Sequence, residues 1–257
     1  MNTADFLTFR TQLTANLTII DCVTGVAFVG SAAEISRADE WSDHDFFVFT
    51  TTGTAESLRQ DISWLPDYGE IALFVRETEH GLKVIYTSGH VLEFAIFEDD
   101  WELSGVNSYE VTLDRGSISE RLKMAQARSI PKPLDADREF SLFLANLLIG
   151  TGRYRRGEVL SSRKFINGFC LNSVIKLVCA LLSPEPFVPY SHDNQNSSRR
   201  FEIAYPQMAQ ELEEVQRMDP ERSAHAMLQF VIKNLQGHFD QNRVSQISAI
   251  KARLDWQ

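Results

Sequence analysis

The sequence predicts an α+β protein: an N-terminal domain built on a mixed β-sheet with flanking helices, followed by a C-terminal all-α helical bundle. Three observations carry this. As far as about Leu113 the chain alternates short β-branched and aromatic runs with turn signals. Beyond Pro131-Lys132-Pro133 the apolar residues recur at helical spacing instead. The charge divides at the same place: residues 1–129 hold 9 Lys+Arg against 21 Asp+Glu, a net −12, whereas residues 130–257 hold 16 against 14, a net +2. The expected domains are therefore 1–130 and 131–257.

Each element has its own signal. Phe6, Phe9, Leu13, Leu17 and Ile20 fall at helical spacing. With no basic n-region and no continuous apolar run, Met1 to Ile20 reads as a surface helix and not a signal peptide. Val26–Val29 and Phe46–Phe49 are β-rich, and a helix over Thr54–Leu65 stops at Pro66. Ile71–Val75, Leu82–Tyr86 and Val91–Phe97, separated by His80-Gly81 and Ser88-Gly89, suggest a meander of hairpins. Tyr109–Leu113 is the last strand, ended by Asp114-Arg115-Gly116. After the Pro-rich hinge, Asp137–Arg155 sets Phe140, Phe143, Leu144, Leu147 and Leu148 on one helix face. Val159–Leu182 is a second long helix, ended by Ser183-Pro184 and Pro186. Helices near Arg200–Ala204, Gln207–Arg217, Glu221–Phe239 and Val244–Leu254 follow the polar loop Ser191–Ser198.

Composition excludes several classes. A chain of 257 residues, 44% hydrophobic and 23% charged, builds a core and is neither disordered nor fibrous. No uncharged apolar stretch approaches the ~18 residues of a membrane span, so no membrane partner is expected. Three widely spaced cysteines, Cys22, Cys170 and Cys179, suit a reducing cytoplasm and no disulfide framework. The net charge of −10 argues against a nucleic-acid partner. The histidines lack zinc-site spacing, and Gly150-Thr151-Gly152 lacks the Gly-Lys-Ser/Thr ending of a P-loop.

The stretch with chemistry in it begins at Val26-Ala27-Phe28-Val29-Gly30-Ser31 and resumes, eleven residues on, at Asp43-His44-Asp45-Phe46-Phe47-Val48. A strand ending in Gly-Ser lets the backbone approach a phosphate closely and offers a hydroxyl donor. Side chains alternate along a strand, so Asp43 and Asp45 share a face and His44 packs or hydrogen-bonds on the other. Neighbouring carboxylates repel unless a cation sits between them, and hard oxygen ligands of this kind suit Mg²⁺. In Val91-Leu92-Glu93-Phe94-Ala95-Ile96, Glu93 stands opposite the apolar face; a buried-looking carboxylate in so apolar a run should be paired or bound to metal. If the strands are adjacent, Glu93 completes a three-carboxylate site. Singly, Asp-x-Asp reads as solvated edge charge and Gly-Ser as a turn; their joint spacing with Glu93 points to an active site. Arg153, Arg155, Arg156, Arg163 and Lys164 form a basic cluster around Glu158 in which positions 156, 160 and 163 would share a helix face.

Hydrophobic-Gly30-Ser31, the eleven-residue gap, Asp43-His44-Asp45 and the later Glu93 resemble the nucleotidyltransferase (polymerase-beta-like) superfamily. The layout looks most like its aminoglycoside and lincosamide adenylyltransferases, as do Val111 to Gly116, Arg155-Arg156-Gly157-Glu158 and Arg199-Arg200-Phe201-Glu202. Departures are Glu rather than Asp at position 93 and the Trp41-containing insert before Asp43.

The resemblance implies Mg²⁺-dependent transfer of AMP, or another nucleoside monophosphate, from ATP to a hydroxyl of a small molecule, such as an aminoglycoside or lincosamide antibiotic, with release of pyrophosphate. Two Mg²⁺ ions would be held by Asp43 and Asp45, with Glu93 as third ligand or general base. Gly30 and Ser31 would hold the β- and γ-phosphates, and Arg156 and Lys164 the departing pyrophosphate. Glu158, at the domain interface, is a second candidate base. The alternatives are a toxin-type enzyme acting on a protein or tRNA end, and a non-catalytic nucleotide-binding member of the fold.

Overall fold

The computed structural model describes residues 3–99, 103, 105–129, 133–185 and 196–257. Most of the expected hinge at Pro131-Lys132-Pro133, Pro186 and most of the polar loop, including Tyr190-Ser191-His192, lie outside the described residues. The chain divides into two compact units, Met1–Ile130 and Pro131–Gln257. The first carries a mixed sheet with helices and the second is helical, so the α+β class holds.

The first unit begins with α1 (Thr3–Thr18), β1 (Val23–Val29), β2 (His44–Thr50) and α2 (Ala55–Gln60). Next come β3 (Ile71–Arg76), β4 (Gly81–Tyr86), β5 (Val91–Glu98), β6 (Tyr109–Asp114) and α3 (Ile118–Arg128). Strand order is β3-β4-β5-β2-β1-β6. Every described pairing is antiparallel except β2 with β5, which run parallel with Asp45 opposite Glu93. The β3-β4-β5 meander is as the turn signals require; α2 is shorter than the predicted Thr54–Leu65, because Asp61 leaves the helix in an extended conformation.

The sheet buries one face against α1, whose Phe6, Phe9, Leu13 and Leu17 pack on Phe28, Phe46, Val48, Leu92, Phe94 and Ile96. The Phe46 and Phe94 rings stack at 4.7 Å. On the other face α3 covers only part of the sheet, with Ile118, Leu122 and Ala125 against Ala27, Phe49 and Phe97. This helix is additional to those the sequence predicts. It starts where Asp114 accepts the backbone N–H groups of Ile118 (2.9 Å) and Ser119 (3.0 Å), which gives Val111 to Gly116 a capping role. Gly25 allows α3 to sit this close, since a Cβ there would fall 2.3 Å from Ile118 Cγ1.

In the second unit, α4 (Ala136–Arg155) is followed by α5 (Val159–Arg163), a π-helical segment (Lys164–Cys170) and α6 (Leu171–Leu181). The predicted single helix Val159–Leu182 thus holds a stretch of π-helix, a wider turn than its apolar periodicity discloses. Val159–Leu181 is 23 residues long and by length and composition alone apolar enough to cross a membrane, although it is not an uncharged stretch, since Arg163, Lys164 and Lys176 interrupt it. Its apolarity has a local use: Ile166, Cys170, Val174, Leu177 and Val178 are fully buried in the unit's core against Phe140, Phe143 and Leu147 of α4. α7 (Phe201–Ala204), α8 (Pro206–Gln216), α9 (Pro220–Leu235) and α10 (Gln241–Leu254) complete the unit.

Gly25→Ala is expected to destabilise the protein by about 1–3 kcal/mol, because a methyl group has no room against Ile118. Urea unfolding measures this, and Gly25→Ala should cost less in an Ile118→Ala background, which lacks the Cγ1 that the new methyl group would meet.

Candidate active site

β2 is the strand on which the site is built. His44, Phe46 and Val48 face α1 and are buried, while Asp45 and Phe47 face the other way and stay half-buried. His44, as expected, is no ligand. Its ring stacks on Phe6 at 3.6 Å and its Nε2 lies 3.1 Å from the Phe6 carbonyl. Only an N–H can bond to that oxygen, so Nε2 carries the proton and Nδ1 accepts from His90 Nε2 at 2.7 Å. Burial, reinforced by the neighbouring His90, pushes His44 down to about 3; burial likewise lowers His90 to about 4. Both rings are neutral near pH 7, since burial, and for His44 also the nearby His90 and Arg10, disfavours the charged form.

On the opposite face, the parallel register brings Asp45 beside Glu93, and Asp43 just ahead of β2 joins them. One oxygen from each of Asp43, Asp45 and Glu93 lies within 4.8 Å of the others. The predicted acidic triad is therefore a spatial cluster. All three residues are of intermediate exposure, which corrects the expectation of a buried Glu93. α3 covers the Phe49 and Phe97 end of these strands, leaving the carboxylate end accessible. Three hard oxygen donors at this separation fit Mg²⁺, which prefers carboxylates and keeps waters or substrate phosphates for its remaining positions.

Gly30 and Ser31 follow β1 in a single 3₁₀ turn over Gly30–Ala32. Because Val29 pairs with Asp45, this turn abuts the carboxylates. Gly30 has φ +59°, which favours glycine, and a Cβ there would stand 2.8 Å from Asp45 Oδ2, so any side chain would displace that carboxylate. Trp41 is 87% exposed in the insert ahead of Asp43, where Asp39 Oδ1 accepts its backbone N–H at 2.9 Å.

Sequence reasoning missed Lys83. It is the β4 partner of Glu93, and its Nζ lies 2.9 Å from Glu93 Oε1 and 3.1 Å from Glu77 Oε1. The two carboxylates, Glu93 first, raise Lys83 above its ordinary value. A lysine alternating with apolar Leu82 and Val84 was a usable signal, since it had to share a face with whatever charge the next strand presents.

Glu158, Arg156 and Lys164 belong to the second unit. Arg156 follows the end of α4 and Gly157 has φ +81°, so the chain breaks between α4 and α5. Positions 156, 160 and 163 therefore do not share a continuous helix face. Arg156 Nε donates to Glu158 at 2.9 Å, and this bond holds the Glu158 carboxyl below its usual range, making it a weaker proton acceptor. Arg155 pairs with Glu221 at 2.6 Å. Arg153 lies over the Phe165 ring at 4.4 Å, and the Lys164 ammonium is 5.9 Å from the Phe169 ring.

No family model and no curated protein matches the sequence. Solved structures do show similarity. An aminoglycoside 6-adenyltransferase from Bacillus subtilis superposes with a TM-score of 0.35 at 10% identity, over 96% of this chain and 90% of that one. A chain of the E. coli MS115-1 CdnC:HORMA-deltaN complex gives 0.33 at 13% identity, over 93% and 92%. The STING-associated CdnE c-di-GMP synthase from Capnocytophaga granulosa gives 0.32 at 14% identity, over 92% and 82%. Similarity at this level assigns no chemistry, which rests on the residues themselves.

The neutral histidines set a pH dependence. Their folded pKa values lie below the unfolded value near 6.5, so as pH falls through 6.5 the unfolded chain takes up protons that the folded one refuses. Unfolding free energy should fall by about 2 kcal/mol per pH unit between pH 6.5 and 5, about half from each ring. Chemical denaturation across that range measures the slope, which His44→Phe should reduce. Gly30→Ala should weaken divalent-cation binding about tenfold while costing about 1–2 kcal/mol of stability, with calorimetry separating the two.

Proposed function

We propose that the protein is a Mg²⁺-dependent nucleotidyltransferase that moves a nucleoside monophosphate, AMP in the simplest case, from a nucleoside triphosphate to a hydroxyl of a small molecule. The observation that supports this is the convergence of Asp43, Asp45 and Glu93 beside the Gly30-Ser31 turn. Bound Mg²⁺ would supply charge neutralisation of the triphosphate and of the negative charge that builds up at the α-phosphorus.

The chain's own groups have separable tasks. Asp43 and Asp45, on one side of β2, are the metal carboxylates, with Glu93 as the third oxygen donor. Gly30 has no side chain to keep a phosphate from the backbone, and Ser31 adds a hydroxyl donor. In the reaction the acceptor oxygen bonds to the α-phosphorus, the bond from that phosphorus to the bridging oxygen breaks, and pyrophosphate leaves. The acceptor's proton goes to a carboxylate. Glu93 is the first-unit candidate for it, because its side chain is 44% exposed and reaches solvent beside the two aspartates. All of these groups belong to the first unit; Glu158, Arg156 and Lys164 stay candidates by charge alone. An aminoglycoside or lincosamide is the acceptor class to try first, on the motif resemblance.

The test is incubation with Mg-ATP and a panel of aminoglycosides and lincosamides, reading pyrophosphate release and an AMP adduct by mass. Asp43→Asn and Asp45→Asn should each lower turnover by about 100-fold or more and leave the melting temperature unchanged or higher, since carboxylate repulsion is relieved. Mg-ATP binding without turnover for any acceptor would mark a nucleotide-binding module instead. Unfolding of both variants would give the aspartates a structural role.

A further inference from the structure

Lys83 stands in a position that a surface ion pair does not require. Its ammonium is shared between Glu93, one of the three converging carboxylates, and Glu77, which belongs to the β3-β4 turn and lies outside the cluster. That turn is closed by the Glu77 N–H donating to the Gly81 carbonyl at 3.0 Å, so Glu77 is held beside β4 by backbone and not by the lysine alone. Lys83 itself is only 34% exposed, and cross-strand pairing with Glu93 keeps it on the carboxylate face.

A divalent cation and an ammonium compete for a carboxylate, because each is repelled by the other at a few ångströms. A lysine with no second partner would oppose the metal throughout. Lys83 has one: Glu77 is already 3.1 Å from Nζ, so leaving Glu93 need not strand the charge. We propose that Lys83 is a positioning residue that holds the Glu93 carboxylate in the absence of metal and yields it on metal binding by shifting onto Glu77. The proposal rests on the metal-site reading of Asp43, Asp45 and Glu93 above. It makes the cluster responsive: partly neutralised by one ammonium when empty, and open to a divalent cation once one arrives. Lys83 touches neither the reacting atoms nor, in this account, the nucleotide.

Mn²⁺ titration of the full chain, read as free Mn²⁺ by electron paramagnetic resonance at physiological ionic strength, tests this without turnover. Lys83→Met should bind Mn²⁺ about tenfold more tightly, because a competing cation is gone. Any nearby cation would produce that effect, so the handover is read from Glu77. Glu77→Gln should weaken binding about threefold when Lys83 is present and change it less than about twofold in the Lys83→Met background. Equal effects of Glu77→Gln in the two backgrounds would overturn the proposal, as would a Lys83→Met protein of unchanged or weaker affinity. A wild-type protein that binds no Mn²⁺, with Asp43→Asn indistinguishable from it, would overturn the metal-site reading and this proposal together. Thermal melts of each variant confirm that the comparison is between folded proteins.

Discussion

A slip of β2 by one residue against β5 would exchange His44 for Asp45, placing a carboxylate among Phe6, Phe28 and Leu92 and an imidazole among the acids. The structure prevents this with a chain of bonds that only one register allows. His90 donates to His44, and His44 donates to the Phe6 carbonyl of α1. These two side chains tie the start of β2, the start of β5 and the first helix together inside an otherwise apolar layer. A buried polar pair of this sort contributes little net stability, but its unpaired alternatives are costly, which is how it specifies a single arrangement. Everything on the opposite face, including the separation of Asp43, Asp45 and Glu93, follows from that register.

The carboxylate face is correspondingly strained in electrostatic terms. Three acids converge, and Lys83 is the cation bonded to Glu93. α3 could have covered this end of the sheet with apolar side chains, yet it sits over Phe49 and Phe97. Stability is concentrated at one end of the strands and chemistry at the other. Gly30 belongs to the same division: its left-handed conformation and missing Cβ serve the close approach of the turn to Asp45.

The sheet of the first unit was legible because its strands are short, β-branched and bounded by turns, and because Asp43, His44 and Asp45 alternate in a way that allows only one functional face. Glu93 was legible as a charge in an apolar run, though its exposure was not. Helix α3 escaped because its apolar positions, Ile118, Leu122 and Ala125, are few and stand in a polar segment. The second unit's helices were legible from spacing, but the π-segment at Lys164–Cys170 was not, since one wider turn barely disturbs a 3.6-residue pattern over so short a length. The helix face expected to be shared by positions 156, 160 and 163 failed for a related reason: the chain turns at Gly157, so cations near in sequence are distributed over different elements and partners.

What the sequence alone determined are the properties that depend on neighbours along the chain: which face of β2 bears the aspartates, and that the second half is helical. What only the tertiary structure decided are the properties that depend on pairing across it. These are the parallel register that sets Asp45 against Glu93, the antiparallel one that sets Lys83 against Glu93, and the burial that keeps His44 and His90 neutral. The physical reason is that side-chain alternation is a local steric rule, fixed within two residues. The partner of a strand is instead chosen by apolar area and hydrogen bonds that the whole unit buries together.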